Sequence, residues 1–189
     1  MLISTKDLNY LTDELSWELL AMKKCHHYAG ECQDPQIRQL INQTGQMHQQ
    51  HYETLLSQLQ SAAGATAGMN QPQAGGNQPQ PPQQTAGTQP SPGLPQVKGP
   101  EMNDRDLIND VLAMEKYLAN GYNTAVNEAS TEPLFQTQLR LLNEVHQAQR
   151  NLYNLMHQKG WYKLDTADAI QVSKKAEQFA NYRTQFPYA

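Results

Sequence analysis

A few ionisable residues stand where apolar residues otherwise repeat at helical spacing. Glu18 interrupts one apolar series, His48 and His51 interrupt a second, and Glu115 lies in a third. Imidazole nitrogens and carboxylate oxygens are ligands of divalent transition-metal ions. One hypothesis is therefore a single divalent ion held by some of Glu18, His48, His51 and Glu115. The alternatives are a hydrogen-bonded polar layer or half-exposed histidines, since buried ionisable groups need partners.

A dinuclear metal centre would need carboxylates that the sequence does not supply. In helical bundles such centres use a Glu on each of two helices and a Glu-x-x-His motif on each of the other two. The sequence contains no Glu-x-x-His, and offers instead His48-x-x-His51 and Glu144-x-x-Gln147. Ser/His/Asp sets, Gly-rich phosphate loops and Cys-x-x-Cys pairs are also absent from it. We therefore expect neither an enzyme nor a bound cofactor, with a metal oxidase or catalase as the alternative.

Apolar residues at alternating steps of three and four predict four long helices, at about residues 5–32, 35–60, 103–129 and 133–158. Asp34 is placed as the N-cap of the second helix, with Pro35 at its first position. Asn103 or Asp104 is expected to cap the third helix, and Gly160 to end the fourth. A shorter helix is expected at about residues 166–180, and the absence of period-two alternation argues against strands. The fold class is all-α. In the first helix the apolar series is Leu8, Leu11, Leu15, Glu18, Met22, Cys25, Ala29 and Cys32.

Composition divides the chain into two hairpins and a linker. No charged residue occurs between Glu53 and Lys98, and much of that stretch is Gln, Pro and Gly. Such a segment has too little apolar surface to offset its chain entropy, and proline interrupts helices and sheets. We predict an N-terminal hairpin at 1–61, a disordered linker at 62–100, a C-terminal hairpin at 101–162 and a tail at 163–189.

The two hairpins are similar enough to be diverged copies. An offset of 98 aligns residues 34–35 with residues 132–133, and His48 with His146. Because a lone hairpin cannot bury its apolar side, two of them are expected to form a ferritin-like four-helix bundle within one chain. Pairing between chains is the alternative. Counting from each hairpin turn predicts one common depth for Glu18, His48, Glu115, Glu144 and His146.

The two cysteines, Cys25 and Cys32, are separated by seven residues on one predicted helix. They would lie about 10 Å apart along its axis, which is too far for a disulfide between them. We expect buried free thiols that behave as small apolar residues. An intermolecular disulfide or a metal-binding role is the alternative.

Residues 104–162 carry an ordered series of short motifs. The series closes on Met156-x-x-Lys159-Gly160-Trp161-Tyr162. Upstream stand Asp106, Asp110, Glu115-Lys116, Tyr122, Glu128-Ala129 and Leu141-Leu142-Asn143-Glu144. In these features the segment resembles the coat F domain of the spore coat protein F family, and residues 163–179 are similar to family tails. The resemblance implies a ferritin-like helical bundle, expression during sporulation and a structural place in the spore coat.

Charge and hydropathy narrow the expected partners. The net charge is −4 with no block of Lys and Arg, so we expect no binding to nucleic acid. No apolar run reaches the length of about 20 residues that spans a bilayer, and no signal peptide is apparent, so we expect no membrane insertion. Together with the resemblance, this predicts a structural component of the endospore coat, synthesised in the mother-cell cytoplasm. Other spore coat proteins are its expected partners, with a homo-oligomer or a ligand- or partner-binding helical module as alternatives.

Overall fold

The computed structural model describes residues 2–67 and 101–185, and within them the chain forms five α-helices and no strand. Helices α1 to α4 are two hairpins that pack as a four-helix bundle, which confirms the predicted fold class. No helix among the described residues is long and apolar enough to cross a membrane. The helices are α1 (Thr5–Glu31), α2 (Pro35–Ala67), α3 (Asp104–Glu128), α4 (Glu132–Gln158) and α5 (Ala169–Asn181), followed by a 3-10 turn at Tyr182–Gln185.

Polar side chains fix the predicted helix starts. Asp34 Oδ1 accepts the backbone N–H of Gln36 at 2.8 Å, so Asp34 caps α2 as predicted. Asn103 rather than Asp104 caps α3, and it exchanges hydrogen bonds with Asp106 in a capping box. These caps bind backbone N–H groups that have no partner inside the helix.

Gly160 ends α4, as predicted. Its φ of +73° is the left-handed conformation that a residue without Cβ adopts at little cost. The N–H of Gly160 donates to the carbonyl of His157, and the N–H of Trp161 donates to that of Met156 at 2.9 Å. These two bonds form a Schellman motif. They turn the chain back so that Trp161 and Tyr162 pack, half-buried, against the end of the core.

Helix α2 is longer than predicted. It continues to Ala67, although we expected a disordered linker from residue 62. Residues 61–67 are rich in alanine, the residue with the highest helix propensity, and Ala62 is buried. The proline-rich part of the predicted linker, residues 68–100, lies outside the described residues.

The hairpins repeat with an offset of 97 rather than the predicted 98. Buried Ile37 and Leu55 correspond to buried Leu134 and Leu152. The alignment of prolines was misleading because Pro35 is the first residue of α2, whereas the proline of α4 is its second. One residue rotates a helix position by about 100°. His146, predicted at the depth of His48, is therefore exposed on the surface.

An aspartate at the start of each hairpin accepts hydrogen bonds from the turn of the other hairpin. The Asp104 carboxylate, at the start of α3, accepts the backbone N–H groups of Gln33 and Asp34 in the first turn, at 2.8 and 2.7 Å. Asp7, at the start of α1, accepts the backbone N–H of Ser130 in the second turn at 3.0 Å. The two anchors are related by the same offset of 97. They fix where one hairpin sits along the other.

Both core clusters draw residues from the two hairpins. Leu11 of α1 and Leu55 of α2 share one cluster with Leu141 of α4. Cys25 and Cys32 lie in the other cluster as buried free thiols, as predicted. The hairpins therefore pair within one chain.

Candidate functional site

A polar layer crosses the middle of the bundle between the two core clusters. The structure brings together the four residues singled out from the sequence: Glu18 from α1, His48 and His51 from α2, and Glu115 from α3, all fully buried. Glu144 of α4, expected at this depth, closes one side of the layer and is partly exposed. Every helix of the bundle therefore contributes at least one ionisable group.

His48 lies between two carboxylates. Its Nδ1 is 2.6 Å from Glu18 Oε2, and its Nε2 is 2.7 Å from Glu115 Oε1. Burial alone would lower the pKa of His48, but the hydrogen bonds with Glu115 and Glu18 outweigh it and raise this pKa to about 9. The imidazole and both carboxylates thus form one charged unit in the core.

His51 repeats this arrangement one turn further along α2. Its Nδ1 is 3.3 Å from Glu18 Oε1, and its Nε2 is 2.8 Å from Glu144 Oε2. Arg140 donates to the other oxygen of Glu144 at 2.7 Å. Each imidazole therefore directs Nδ1 at Glu18 and Nε2 at an outer carboxylate.

Glu18 is the centre of the layer. The Tyr122 hydroxyl donates to its Oε1 in addition to the two histidine contacts. Burial would raise the pKa of Glu18, but hydrogen bonds with His48 and His51 outweigh that effect and lower the pKa to about 2. Glu18 is therefore held as a carboxylate in a region without water-exposed surface.

Glu14, one turn before Glu18, was missed in the sequence. It is fully buried, and burial raises its pKa to about 8. Gln138 Nε2 lies 3.3 and 3.4 Å from its two oxygens. Helical spacing was the available signal, because alternating steps of three and four lead from Leu11 through Glu14 and Glu18 to Ala21 and Cys25 on the buried side of α1.

Two buried side-chain oxygens of the described residues have no hydrogen-bond partner. They are Glu115 Oε2 and Gln138 Oε1. Buried polar atoms are rarely left unpaired, because they lose water without gaining a replacement. The carboxyl group of Glu115 therefore retains one acceptor beyond its bond to His48.

The histidines come from one hairpin only. At the offset of 97, His48 and His51 correspond to Val145 and Ala148 of α4, whereas Glu18 corresponds to Glu115. The layer thus has two carboxylates in equivalent positions but a single imidazole pair. That donor set fits one cation or one ion-pair network, and it lacks the ligands of a dinuclear centre. Metal binding itself stays a prediction.

A separate apolar groove runs between α1 and α3, and so between the hairpins. Its volume is about 510 Å³, and Trp17 and Met114 line it. Leu20 and Tyr117 at its edge are 63% and 78% exposed. Apolar side chains from two helices therefore lie together at the surface of the bundle.

Helix α5 packs on none of the four bundle helices within the described part of the chain. None of its thirteen residues is buried. Val172 and Phe179 are seven residues apart, so they share one side of the helix, and they are 55% and 65% exposed. This apolar side is the second surface without a partner in the described structure.

In a comparison with known proteins, residues 103–165 match the family model of the Coat F domain. The uncharacterized protein YusN of Bacillus subtilis is 38% identical over 99 residues, which are 52% of this chain and 90% of that protein. The uncharacterized protein YuzM of the same species is 52% identical over 58 residues, 31% of this chain and 72% of that protein.

Two crystal structures share the fold. One is a Bacillus halodurans protein provisionally described as a spore coat protein, with a TM-score of 0.60 and 13% identity over 89% of this chain and 97% of that one. The other is a conserved hypothetical protein of Mycobacterium tuberculosis, with a TM-score of 0.56 and 16% identity over 86% and 96% of the two chains. At these identities the likeness concerns the fold alone.

Proposed function

Because this chain belongs to the Coat F domain family, we propose that it is a structural component of the bacterial endospore coat. It would be made in the mother-cell cytoplasm and act by association with other proteins of the coat. Membership of the family supports the location in the spore coat. The exposed apolar surfaces of the chain support association with other proteins.

The observation that carries the proposal is the unpacked helix α5. An isolated helix of thirteen residues is marginal in water, because nucleation is costly and few hydrogen bonds follow it. Most helical stability comes instead from packing an apolar side against a partner. Since α5 leaves Val172 and Phe179 exposed, association with another molecule would stabilise it.

We infer that the partner surface is the α1–α3 groove of a second copy. Val172 and Phe179 lie about 10 Å apart along α5, at about 1.5 Å per residue. The residues that line the groove on α1 run from Trp17 to Lys24, which is also a distance of seven residues. The groove is therefore long enough to receive both apolar side chains of one α5. Repeating the contact from copy to copy would build an assembly, as a coat requires.

The first experiment follows a fluorescent fusion of the full chain in sporulating Bacillus subtilis. We expect the fusion to surround the forming spore. A variant with Val172→Ser and Phe179→Ser should remain diffuse, because the apolar side of α5 is lost. The matched control replaces Lys174 and Glu177 with Ser on the opposite side of α5 and should localise normally. A diffuse wild-type fusion would remove the coat proposal.

The second experiment tests the contact between copies. Native mass spectrometry of the full chain should show oligomers that are lost in the α5 variant and in a groove variant with Leu20→Ser and Tyr117→Ser. A mixture of the two variants should regain mixed dimers, because one intact α5 and one intact groove remain. Oligomers that persist in both variants, or a wild-type monomer at all concentrations, would disprove this contact.

A further inference from the structure

We propose that Glu18, His48 and His51 bind one divalent transition-metal ion in the centre of the bundle. The ligands are a carboxylate oxygen of Glu18 and the Nδ1 atoms of the two histidines. Glu115 and Glu144 then hold the outer nitrogens of those histidines and do not touch the ion. The proposal is independent of any role in the spore coat.

The candidate ligand atoms of the three residues lie close together. The two Nδ1 atoms face different oxygens of the same carboxylate, at 2.6 and 3.3 Å. Ligand atoms of all three residues lie within 4.8 Å of one another. Ligands held at about 2.0–2.2 Å from a common ion are at most about 4.4 Å apart. Small side-chain rotations therefore suffice to bring the three atoms around one ion.

The outer nitrogen of each histidine contacts a carboxylate. His48 Nε2 is directed at Glu115 and His51 Nε2 at Glu144, at 2.7 and 2.8 Å. A metal-binding histidine almost always donates its other N–H to a carboxylate or carbonyl, which fixes the ring and the tautomer. Both histidines here have that second contact. A third polar contact, from the Tyr122 hydroxyl, orients Glu18 in the same way.

The ligand types select the class of metal. Two imidazoles and one carboxylate suit zinc, ferrous iron or cobalt. Magnesium and calcium are disfavoured, because they prefer all-oxygen ligand sets. Since α4 carries Val145 and Ala148 at the positions equivalent to the histidines, the site holds one ion.

The test uses the full chain, purified without an affinity tag and freed of metal by a chelator. Titration with Co²⁺, followed by its visible absorption, should saturate at one equivalent, and Zn²⁺ should displace it. His51→Gln should abolish binding, because it removes a ligand. Glu144→Gln should weaken binding by roughly 10- to 100-fold, the usual effect of losing an outer carboxylate. His26→Gln, His27→Gln and His146→Gln replace exposed histidines and serve as matched controls.

The results separate the proposal from incidental binding. If the metal-free wild-type protein binds less than about a tenth of an equivalent of Co²⁺ or Zn²⁺ in this titration, the proposed site is disproved, because three correctly placed ligands would saturate at one equivalent. Loss of binding in the surface variants equal to that in His51→Gln disproves it as well. If His51→Gln is misfolded by circular dichroism, Glu144→Gln decides, because Glu144 is 38% exposed and outside the packed core. Unchanged affinity in that variant would overturn the assigned roles.

Discussion

Two glutamates of α1, four residues apart, show how strongly neighbouring side chains control the pKa of a buried carboxyl group. Glu18 receives contacts from His48, His51 and Tyr122, and its pKa falls to about 2. Glu14 has only the Gln138 amide as a side-chain partner for its oxygens among the described contacts, and burial raises its pKa to about 8. The same residue type on the same side of one helix is therefore charged at one position and largely neutral at the other near pH 7.

Glu14 makes the stability of the bundle depend on pH. Because its folded pKa is raised from 4.5 to about 8, the native state binds more protons than the unfolded chain between these values. Stability contributed by Glu14 therefore falls as pH rises through that window. Glu14→Gln should remove this slope and stabilise the protein by several kcal/mol at pH 9, since a pKa difference of one is worth about 1.4 kcal/mol. Urea unfolding followed by circular dichroism at pH 5, 7 and 9 would measure it.

The exposed Glu53 provides the control for this measurement. Glu53→Gln removes a negative charge from α2 without changing the core, so its pH dependence should follow that of the wild type. A Glu14→Gln variant with the wild-type slope would show that Glu14 is not the buried titrating group.

At the scale of single helices, packing depends on close approach and on the two aspartate anchors. Gly121 of α3 lies beneath the Trp17 ring of α1, and a Cβ there would come within 2.4 Å of that ring. The α1–α3 groove thus owes its shape to a residue without a side chain. The turns depend on Asp7 and Asp104, which receive backbone N–H groups from the opposite hairpin.

Replacement of Gly121 with alanine should displace the Trp17 ring from the groove. Alanine in a helix normally gains about 0.5–1 kcal/mol over glycine. We expect that gain at Gly64 of α2, where an added Cβ would meet no other atom within 4 Å, and not at Gly121. Thermal unfolding and tryptophan fluorescence would compare the two variants. An equal gain at both sites, with unchanged fluorescence, would contradict this account.

Asp104 should stabilise the first turn across the hairpin interface. Asp104→Ala leaves the N–H groups of Gln33 and Asp34 without their acceptor, which should cost about 1–3 kcal/mol. Asp104→Asn keeps an acceptor oxygen and should cost less. Asp13→Ala, on the exposed side of α1, is the matched control. Chemical denaturation that ranks the three variants differently would rule out the anchoring role.

At the scale of the whole molecule, the two hairpins share one core. Each core cluster contains residues from both hairpins, and the polar layer between the clusters takes groups from all four bundle helices. Opening either hairpin would expose unpaired ionisable groups together with apolar surface. We therefore expect the bundle to unfold as one cooperative unit.

The buried thiols report on that cooperativity. Burial raises the pKa of Cys25 to about 12 and that of Cys32 to about 11, and only the thiolate reacts with disulfide reagents. In native protein, reaction of Cys25 with an aromatic disulfide should therefore require unfolding of the bundle. A Cys32→Ser variant isolates the signal of Cys25. Rapid labelling of this variant in the absence of denaturant would show that α1 opens separately.

Local signals in the sequence determined the helices and their ends. Asp34 and Asn103 act as caps through their own side chains, and Gly160 ends α4 because its backbone tolerates a positive φ. These effects involve residues a few positions apart, so they can be read without knowledge of the fold. The grouping of Glu18, His48, His51 and Glu115 was also predictable, because depth from a hairpin turn follows from counting residues.

Only the tertiary structure decided which side of each helix faces the core. Leu8 belongs to the predicted apolar series but is 42% exposed, whereas Glu14 is fully buried. The offset between the hairpins is 97 rather than 98. His146 therefore lies on the surface of the bundle, and Glu18 of the first hairpin is equivalent to Glu115 of the second. One position turns a helix by about 100°, and several rows of a mixed sequence fit a helical period almost equally well. The partner helices choose among these rows, and their packing is a long-range property.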